Sequence, residues 1–509
     1  MKKHFRSLVF LAIAVLLCLS QLSQCGCAPR AQNTGNSPRN DLIVAIDREP
    51  VNLCAGFAAS TIVGFCTRQF YDTLIVRNPD GGYEPSLATS WEFVNGGKDI
   101  IFKIRDDVYF HNGQKMTLDD VVFSYNTIIE AGFADCATSA MDRMEKLDDS
   151  RVILYFSAPY GPALECTSTD YMVIFPQAYY TDDPEFFLRN PIGSGAYKFV
   201  EWKTGDRIVM TANANYFKGQ PPIKNVTLKI FTDTSIATLA LENGEIDVHI
   251  APPSTDAARL RNNRNIQFSA APSATTTWVY FNMNSIFADE RLRLAVAHAI
   301  DKEAVLIGAI EGEGVLANSI FPDFLFGVNP NYQPPGYDPE RSRRLLAEAG
   351  YPNGLDLEVE VSSVRSYYMP VEVIQAQLQE VGIRCSVKKI DSNAWFEDVF
   401  KGATYTWNIA AFTCSVMDID ENYPLYRGGQ GQNYGKVDDP ELNDAFDRNR
   451  FRTDLAEREK ACHDVCRIMG DKALCIPLYT INNMLAAHKD LKNVKAHATK
   501  DYNIFDWSW

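Results

Sequence analysis

Residues 85–125 constrain the fold of this chain most, because they combine a tight hairpin with a capped helix. Two short segments with alternating apolar residues, 90–93 and Asp99–Ile104, flank an Asn-Gly-Gly sequence that tolerates the positive φ angles of a tight turn. The helix signals are the N-cap Thr117, the acidic Asp119 and Asp120 at the positive end of the helix dipole, and the apolar face of Val121, Val122 and Tyr125.

The same segment carries a spaced motif that is not explained by local structure alone. It reads Leu-Ala-x-Ser-Trp from Leu87, Phe-x-x-Arg from Phe102, Val-x-Phe-His-x-Gly from Val108, and Asp-Val from Asp120. This order resembles the signature of the bacterial extracellular solute-binding proteins, family 5, which serve peptide and nickel importers. Further matches to that family occur at 193–197, 289–301 and 337–353, so the resemblance covers the chain from about residue 41 onward.

Length and composition limit the classes of protein to consider. A chain of 509 residues is too long for one core and predicts two or three domains. An apolar content of 46% and a charged content of 22% are typical of folded proteins. The net charge of −15 and the absence of a Lys/Arg block argue against nucleic acid as a partner. Neither Gly-x-Ser-x-Gly, His-Glu-x-x-His nor a phosphate loop occurs in the sequence.

The first residues read as an export signal. Lys2, Lys3 and Arg6 precede the apolar run 8–19, which is shorter than the roughly 20 residues needed to span a membrane. We interpret 1–24 as a signal peptide. Cys25 follows Leu22 and Ser23 as in a lipoprotein cleavage box, with Cys27 as the alternative acceptor, and 25–40 reads as a lipidated, flexible tether. The mature protein is expected to face the periplasm or the cell exterior.

Nine further cysteines follow Cys27, and their odd number and loose spacing do not dictate disulfide pairs. Cys462 and Cys466 share a helical face with His463 between them, but two thiols without a second pair are a weak zinc signal. Packing of small buried residues is the simpler interpretation. We therefore expect no metal site and no cofactor.

The resemblance implies an α/β, bilobal periplasmic-binding-protein fold with an extra inserted domain. In that arrangement lobe I is formed by 41–72, 193–274 and 475–509, the inserted domain by 73–190, and lobe II by 275–474. Two chain segments then connect the lobes and form a hinge. Alternation of helices and strands in the second half agrees with an α/β lobe whose sheet is covered.

The resemblance also implies where a ligand lies. In peptide-binding relatives the ligand is an added strand between the lobes, so that backbone bonds supply affinity regardless of its sequence. The matching positions here are Ala59, Ser60, Thr61 and Ile62 in the first half, and Ala411, Phe412, Thr413 and Ser415 in the second.

Ser415 departs from the family pattern, because relatives usually carry an aspartate there for the amino terminus of the ligand. A serine hydroxyl can accept a hydrogen bond but cannot neutralise an ammonium. Asp418 or Asp420 would substitute if the loop is shifted. Otherwise the ligand has another register or lacks a free amine at this place.

Three further residues have a functional and a structural interpretation. Trp395 matches a pocket-lining aromatic of relatives, and core packing explains it equally well. Arg365 lies where relatives often place a cation for a ligand carboxylate, or it is a solvated loop residue. His111 is expected to order the turn before the helix rather than to bind a metal.

These observations predict the substrate-binding lipoprotein of an ABC importer, which captures oligopeptides and delivers them to a permease and ATPase complex. The protein is expected to be a monomer and not an enzyme. Capture of a nickel chelate or another non-peptide solute by the same fold is the alternative. A lipid-anchored hydrolase is the alternative from another class, and it would need a nucleophile with a positioned base.

Overall fold

The computed structural model describes residues 39–58, 60–78 and 81–509. The strands are β1 (Asp41–Ile46), β2 (Ile75–Arg77), β3 (Tyr83–Pro85), β4 (Ala88–Val94), β5 (Asp99–Ile104), β6 (Met141–Lys146), β7 (Arg151–Phe156), β8 (Tyr197–Lys203), β9 (Arg207–Ala212), β10 (Asn225–Ile230), β11 (Val248–His249), β12 (Ile266–Phe281), β13 (Gly314–Leu316), β14 (Leu355–Ser362), β15 (Ile383–Ile390), β16 (Trp407–Thr413) and β17 (Cys475–His488).

The α-helices are α1 (Thr61–Phe70), α2 (Leu118–Ala131), α3 (Asp135–Thr138), α4 (Ala163–Ser168), α5 (Gln177–Asp182), α6 (Pro184–Arg189), α7 (Thr234–Glu242), α8 (Ala257–Arg261), α9 (Glu290–Ala299), α10 (Lys302–Ile310), α11 (Pro339–Glu348), α12 (Arg365–Glu380), α13 (Ser392–Ala394), α14 (Tyr423–Tyr426), α15 (Pro440–Phe451) and α16 (Leu455–Asp471). The structure is thus mixed α/β, as predicted.

The hairpin and capped helix predicted from 85–125 are confirmed. Strands β4 and β5 pair antiparallel, and all three residues of the Asn-Gly-Gly turn have φ between 54° and 85°. The Thr117 side chain accepts a hydrogen bond from Asp120 N, while Asp120 Oδ2 accepts one from Thr117 N at 2.9 Å, which makes a capping box. Val121 and Tyr125 of α2 are buried, and the half-buried Val122 packs against the same core, as predicted for the apolar face.

A nine-stranded sheet organises the rest of the chain. Its strand order is β16-β12-β17-β11-β1-β10-β9-β8, with β13 also pairing β17, while β4-β5-β7-β6 form a separate sheet. Alternate residues of β12 enter two apolar cores: Val279 and Phe281 pack on one face, and Trp278 and Tyr280 on the other. This end of the sheet is therefore covered on both faces.

Two long strands, β12 and β17, connect that doubly covered end with the β1 side of the sheet. Their pairing shifts register between Pro272, opposite Asn482, and Thr276, opposite Thr480. The intervening bulge is held by Ala274 N, which donates to Ala498 O at 2.8 Å. A bulge in the ladder that both connecting strands share is a natural place for the sheet to bend.

His111 joins the hairpin-helix segment to the start of β8. Its backbone N–H donates to Gly193 O at 2.8 Å, and its Nε2 lies 3.0 Å from Gly195 O. Burial lowers the pKa of this imidazole to about 4, so the ring is neutral at physiological pH. The residue orders the turn, as the sequence analysis expected.

We expect Gly195→Ala to lower the free energy of unfolding by about 2–3 kcal/mol, because an added Cβ overpacks backbone rather than a mobile side chain. That Cβ would lie 2.5 Å from Phe70 C and 2.7 Å from Gln69 O. Urea unfolding measures the loss. Gly431→Ala is the control, since nothing lies within 4 Å of a Cβ there. Equal stabilities of the two variants would contradict this account.

Candidate functional site

The strand β16 lies at the end of the nine-stranded sheet, and β12 is the strand that pairs with it among the described residues. Two hydrogen bonds that continue this ladder fix its phase: Cys414 N donates to Ala274 O at 2.9 Å, and Asn282 N donates to Thr406 O at 3.0 Å. In an antiparallel ladder these bonds recur at every second residue. The even-numbered residues of β16 therefore bond β12, and the odd-numbered ones face the free edge.

The free edge carries unused backbone groups at Ala411 and Thr413. Near its start the edge is closed, because Asn408 Oδ1 accepts from Ile409 N at 2.9 Å and Asn408 Nδ2 donates to Glu360 O at 2.8 Å. Further along, the backbone N–H groups of Ala411 and Thr413 have no partner among the described residues. An extended chain can add there as another strand.

The side chains around this edge are partly open. Ala411, Phe412 and Thr413 are each half-buried. The Thr413 hydroxyl lies 2.7 Å from that of Thr275 across the ladder, which fixes it on the sheet. Phe412 packs against the same apolar core as Trp395. The predicted second ligand segment is thus a supported strand with one accessible edge.

The loop after β16 exposes Ser415 and buries Val416 and the residues up to Asn422. Ser415 N and Val416 N both donate to Glu421 Oε2, at 2.8 Å and 2.9 Å. The Ser415 side chain lies beside the Tyr171 hydroxyl, which comes from a different part of the chain. Ser415 therefore presents its hydroxyl to the surface, while its backbone N–H is bound by the buried Glu421.

Asp418 and Asp420, the alternative partners for a ligand amine, are both buried and engaged by arginines. Asp418 forms an ion pair with Arg458 and accepts from Asp420 N at 3.0 Å. Asp420 accepts from Arg450 Nη1 at 2.7 Å and from Tyr160 OH at 2.9 Å. These contacts give both carboxylates a role in holding the loop. Their binding of a ligand amine stays a prediction.

Two further buried carboxylates lie against this loop. Glu165 accepts from Met417 N at 3.1 Å and from Tyr83 OH at 2.8 Å. Burial raises the pKa of Glu165, and it raises that of Glu421 to about 8. Glu421 accepts hydrogen bonds from two backbone N–H groups and has no ion-pair partner among the described residues. Burial therefore favours its protonated form over its carboxylate.

We expect the free energy of unfolding to fall between pH 6.5 and pH 8, and Glu421→Gln to flatten that fall. In this window folded Glu421 keeps a proton that the unfolded chain has lost, because its pKa is about 8 instead of 4.5. One such group contributes at most about 1.4 kcal/mol per pH unit. Below pH 6.5 the buried His111 and His249, with pKa values of about 4, act with the opposite sign.

Urea unfolding at several pH values checks this prediction, with Glu397→Gln as the control. Glu397 is exposed and pairs with Lys401. Its substitution should leave the pH profile of the parent protein unchanged. An unaltered slope in Glu421→Gln would show that Glu421 does not hold the proton.

The first predicted ligand segment begins helix α1. Ala59 lies outside the described residues. Ser60 is the N-cap with extended backbone, φ −154° and ψ 135°, and its side chain does not cap the helix. Thr61 is exposed, whereas Ile62 is buried. A shallow pocket at this helix end is lined by Asp47, Thr61, Ile62, Phe65, Ile250, Ala251 and Lys500.

Trp395 and Arg365 have structural partners. Trp395 is buried, with ring centroids 5.0 Å from Tyr367 and 5.3 Å from Phe400. Arg365 is exposed and forms an ion pair with Glu311 at 2.9 Å. Trp395 therefore belongs to the apolar core against which Phe412 packs, whereas Arg365 has an ion-pair partner of its own. Ligand contact by either residue stays a prediction.

Comparison with known proteins shows which family the chain belongs to. The family described as "Bacterial extracellular solute-binding proteins, family 5 Middle" matches residues 82–434, more than half of the sequence. The chain belongs to this family. The resemblance seen in the sequence is thereby confirmed.

Relatives and solved structures agree with this membership. Heme-binding protein A of Haemophilus influenzae is 26% identical over 411 residues, covering 73% of this chain and 74% of that protein. Oligopeptide-binding protein AppA of Bacillus subtilis is 24% identical over 547 residues, covering 100% and 99%. The structure of HbpA2 from Haemophilus parasuis has a TM-score of 0.83 at 24% identity, covering 92% and 99%. AppA in complex with a nonapeptide has a TM-score of 0.75 at 22% identity, covering 93% and 99%. The predicted fold class is confirmed.

The cysteines of this family member are free thiols wherever the structure describes them. Cys462 lies 3.3 Å from Asn449 Oδ1, and Cys466 lies 3.7 Å from the Ser319 hydroxyl. No group of three His, Cys, Asp or Glu residues suited to a metal ion occurs in the described ranges. Both lipidation candidates, Cys25 and Cys27, lie outside those ranges together with the signal peptide.

Sequence reasoning missed several residues that the fold brings to this region. Glu421, Glu165 and Tyr171 surround the loop after β16, and Lys500 lines the pocket at α1. Glu421 lies among the acidic residues that drew attention to Asp418, so spacing could have suggested it. Nothing in the local sequence around Lys500 or Tyr171 marks either residue as part of a site.

The helices of the described part of the chain include none that is long and apolar enough to cross a membrane.

Proposed function

We propose that this chain is the substrate-binding component of an ABC importer and captures peptides. The observation that carries the proposal is the free edge of β16, where Ala411 and Thr413 offer backbone N–H groups on a supported strand. Backbone pairing at an edge accepts many side-chain sequences, which suits a transporter of varied peptides. The relatives include a protein named for oligopeptide binding, seen with a nonapeptide.

The ligand in this proposal contacts two segments of the protein. Ala411, Phe412, Thr413 and Ser415 supply one side, and Ala59, Ser60, Thr61 and Ile62 supply the other. Trp395 lies in the apolar core against which Phe412 packs. Asp418 and Asp420 hold the loop, so the amine of the ligand meets the Ser415 hydroxyl rather than a free carboxylate.

The proposal requires reversible closure of two lobes. We assign 41–72, 193–274 and 475–509 to lobe I, 73–190 to the inserted domain and 275–474 to lobe II. The register shift between β12 and β17 near Ala274 lies where β12 crosses the boundary assigned between 274 and 275, and in this proposal bending there would open the cleft. Such a device releases its cargo unchanged, so the proposed protein is not an enzyme.

The same proposal places the protein outside the cytoplasmic membrane on a lipid anchor. Diacylglycerol on Cys25, with Cys27 as the alternative, would hold it by the tether 25–40 and keep it near its permease. Mass spectrometry of the membrane-extracted protein tests this part by itself, since a lipidated amino-terminal fragment identifies the modified cysteine.

Native mass spectrometry of the protein purified without denaturation tests the cargo. We expect a heterogeneous series of bound peptides that leave on unfolding and are recovered intact. A metal chelate, a tetrapyrrole or another non-peptide solute as the sole cargo would contradict the peptide proposal. Cleaved peptides appearing with time would favour a hydrolase instead.

A further inference from the structure

We propose that Glu165 and Glu421 form a clasp that takes up a proton when the proposed lobe II closes against the inserted domain. The inference rests on the proposed closure of the lobes, since Glu165 belongs to 73–190 and Glu421 to 275–474. It does not depend on the nature of the cargo. The clasp and peptide capture can therefore fail separately.

Both carboxylates bind the same short backbone segment, the loop after β16. Ser415 N and Val416 N donate to Glu421 Oε2, at 2.8 Å and 2.9 Å. The next N–H along the chain, that of Met417, donates to Glu165 Oε1 at 3.1 Å. Both acidic side chains are buried. Three consecutive N–H groups thus bring together two carboxyl groups that do not readily ionise at the same time.

Further contacts between the same two parts of the chain surround the clasp. Gly161 N donates to Arg450 O at 2.9 Å. Tyr160 OH donates to Asp420 Oδ2, also at 2.9 Å. The clasp therefore lies within an interface between the inserted domain and lobe II as proposed. Opening that interface would separate the two carboxyl groups and expose them to water.

The charges around the clasp do not balance two carboxylates. The titratable and charged groups that face it in the described part of the chain are Arg77, Tyr83, Cys136, Tyr171, Cys414 and Asp418. Arg77 is the cation of this set, and its Nε lies 3.4 Å from Glu165 Oε2. Asp418 adds a further negative charge, which is paired with Arg458. One cation is thus available for two acids, which favours a proton on one of them.

The pKa values agree with this geometry. Burial raises the pKa of Glu165 and raises that of Glu421 to about 8, with the charge of Glu165 adding to the effect on Glu421. A group whose pKa is higher in the closed form favours closure at low pH, and this contribution is lost as the pH rises through that pKa. Asp420, whose pKa burial raises to about 6, acts in the same direction at lower pH. Rising pH therefore favours opening and the release of cargo.

Small-angle X-ray scattering of the cargo-free protein at about pH 6.5 and about pH 8.5 tests the clasp. The ratio of open to closed protein should rise roughly tenfold between these values. Glu421→Gln should abolish the rise, and Glu165→Gln should reduce it. Glu130→Gln, an exposed glutamate of the inserted domain, should leave it as in the parent protein. Identical curves of the parent protein at the two pH values, or a rise that persists in Glu421→Gln, overturn the inference.

Calorimetry with trialanine separates the clasp from the peptide proposal. The dissociation constant should increase with the open-to-closed ratio in the parent protein and stay constant with pH in Glu421→Gln. If trialanine does not bind but the scattering still changes through Glu421, the clasp stands and peptide capture fails. If trialanine binds equally at both pH values and the scattering does not change, the clasp is refuted while peptide capture stands.

Discussion

Replacing Arg458 with methionine is expected to lower the free energy of unfolding by about 3–5 kcal/mol. The guanidinium is buried and pairs with Asp418, whose side chain is also buried. Its Nε donates to Asn449 O at 3.2 Å, and its Nη2 donates to Asn449 Oδ1 at 3.3 Å. Removing it leaves the Asp418 carboxylate without its cation in a site that water cannot reach. Urea unfolding followed by fluorescence measures the loss.

Two further variants show whether the buried charge is the cause. Arg467→Met on the same helix removes an exposed guanidinium that pairs with Glu441 at 2.8 Å, and should cost less than about 1 kcal/mol. Adding Asp418→Asn to Arg458→Met removes the unpaired charge and should restore at least half of the loss. No recovery in the double variant would mean that packing, rather than charge, accounts for the effect.

Ala411→Pro is expected to weaken peptide binding by roughly tenfold or more without unfolding the protein. Proline removes the N–H that faces the free edge of β16 but no bond to β12, and edge positions tolerate it. Ala411→Val keeps the N–H and changes the side chain, so it should bind peptides much more tightly than the proline variant. Calorimetry with a peptide recovered from the cargo gives the affinities.

Phe412→Pro is the matched substitution one residue further along. The N–H of Phe412 faces β12, where the ladder places Thr276 opposite. Its loss leaves the Thr276 carbonyl without a partner and removes an aromatic ring, so we expect a fall of about 3 kcal/mol in unfolding free energy. If Ala411→Pro destabilised the protein as much, the assigned phase of the ladder would be wrong. If it bound peptides normally, strand addition would be excluded at this edge.

Local signals predicted local structure well. The positive φ angles of the Asn-Gly-Gly turn and the Thr117 capping box depend on residues three or four positions apart, so spacing alone reveals them. The partners of the buried carboxylates could not be predicted in this way. Asp418 and Asp420 look like free acidic residues in the sequence, but their arginine partners lie 30 to 40 positions away. No periodicity connects such pairs.

The sequence by itself determined the family, the α/β class, and the hairpin and capped helix of residues 85–125. These follow from motifs and from residue spacings that act within one turn or strand. Only the tertiary structure decided which edge of β16 stays unpaired, which carboxylates form ion pairs with arginines, and that Lys500 lines the same pocket as Thr61. The physical reason is that strand pairing, desolvation and ion pairing depend on distances between residues far apart in the chain, which local sequence does not encode.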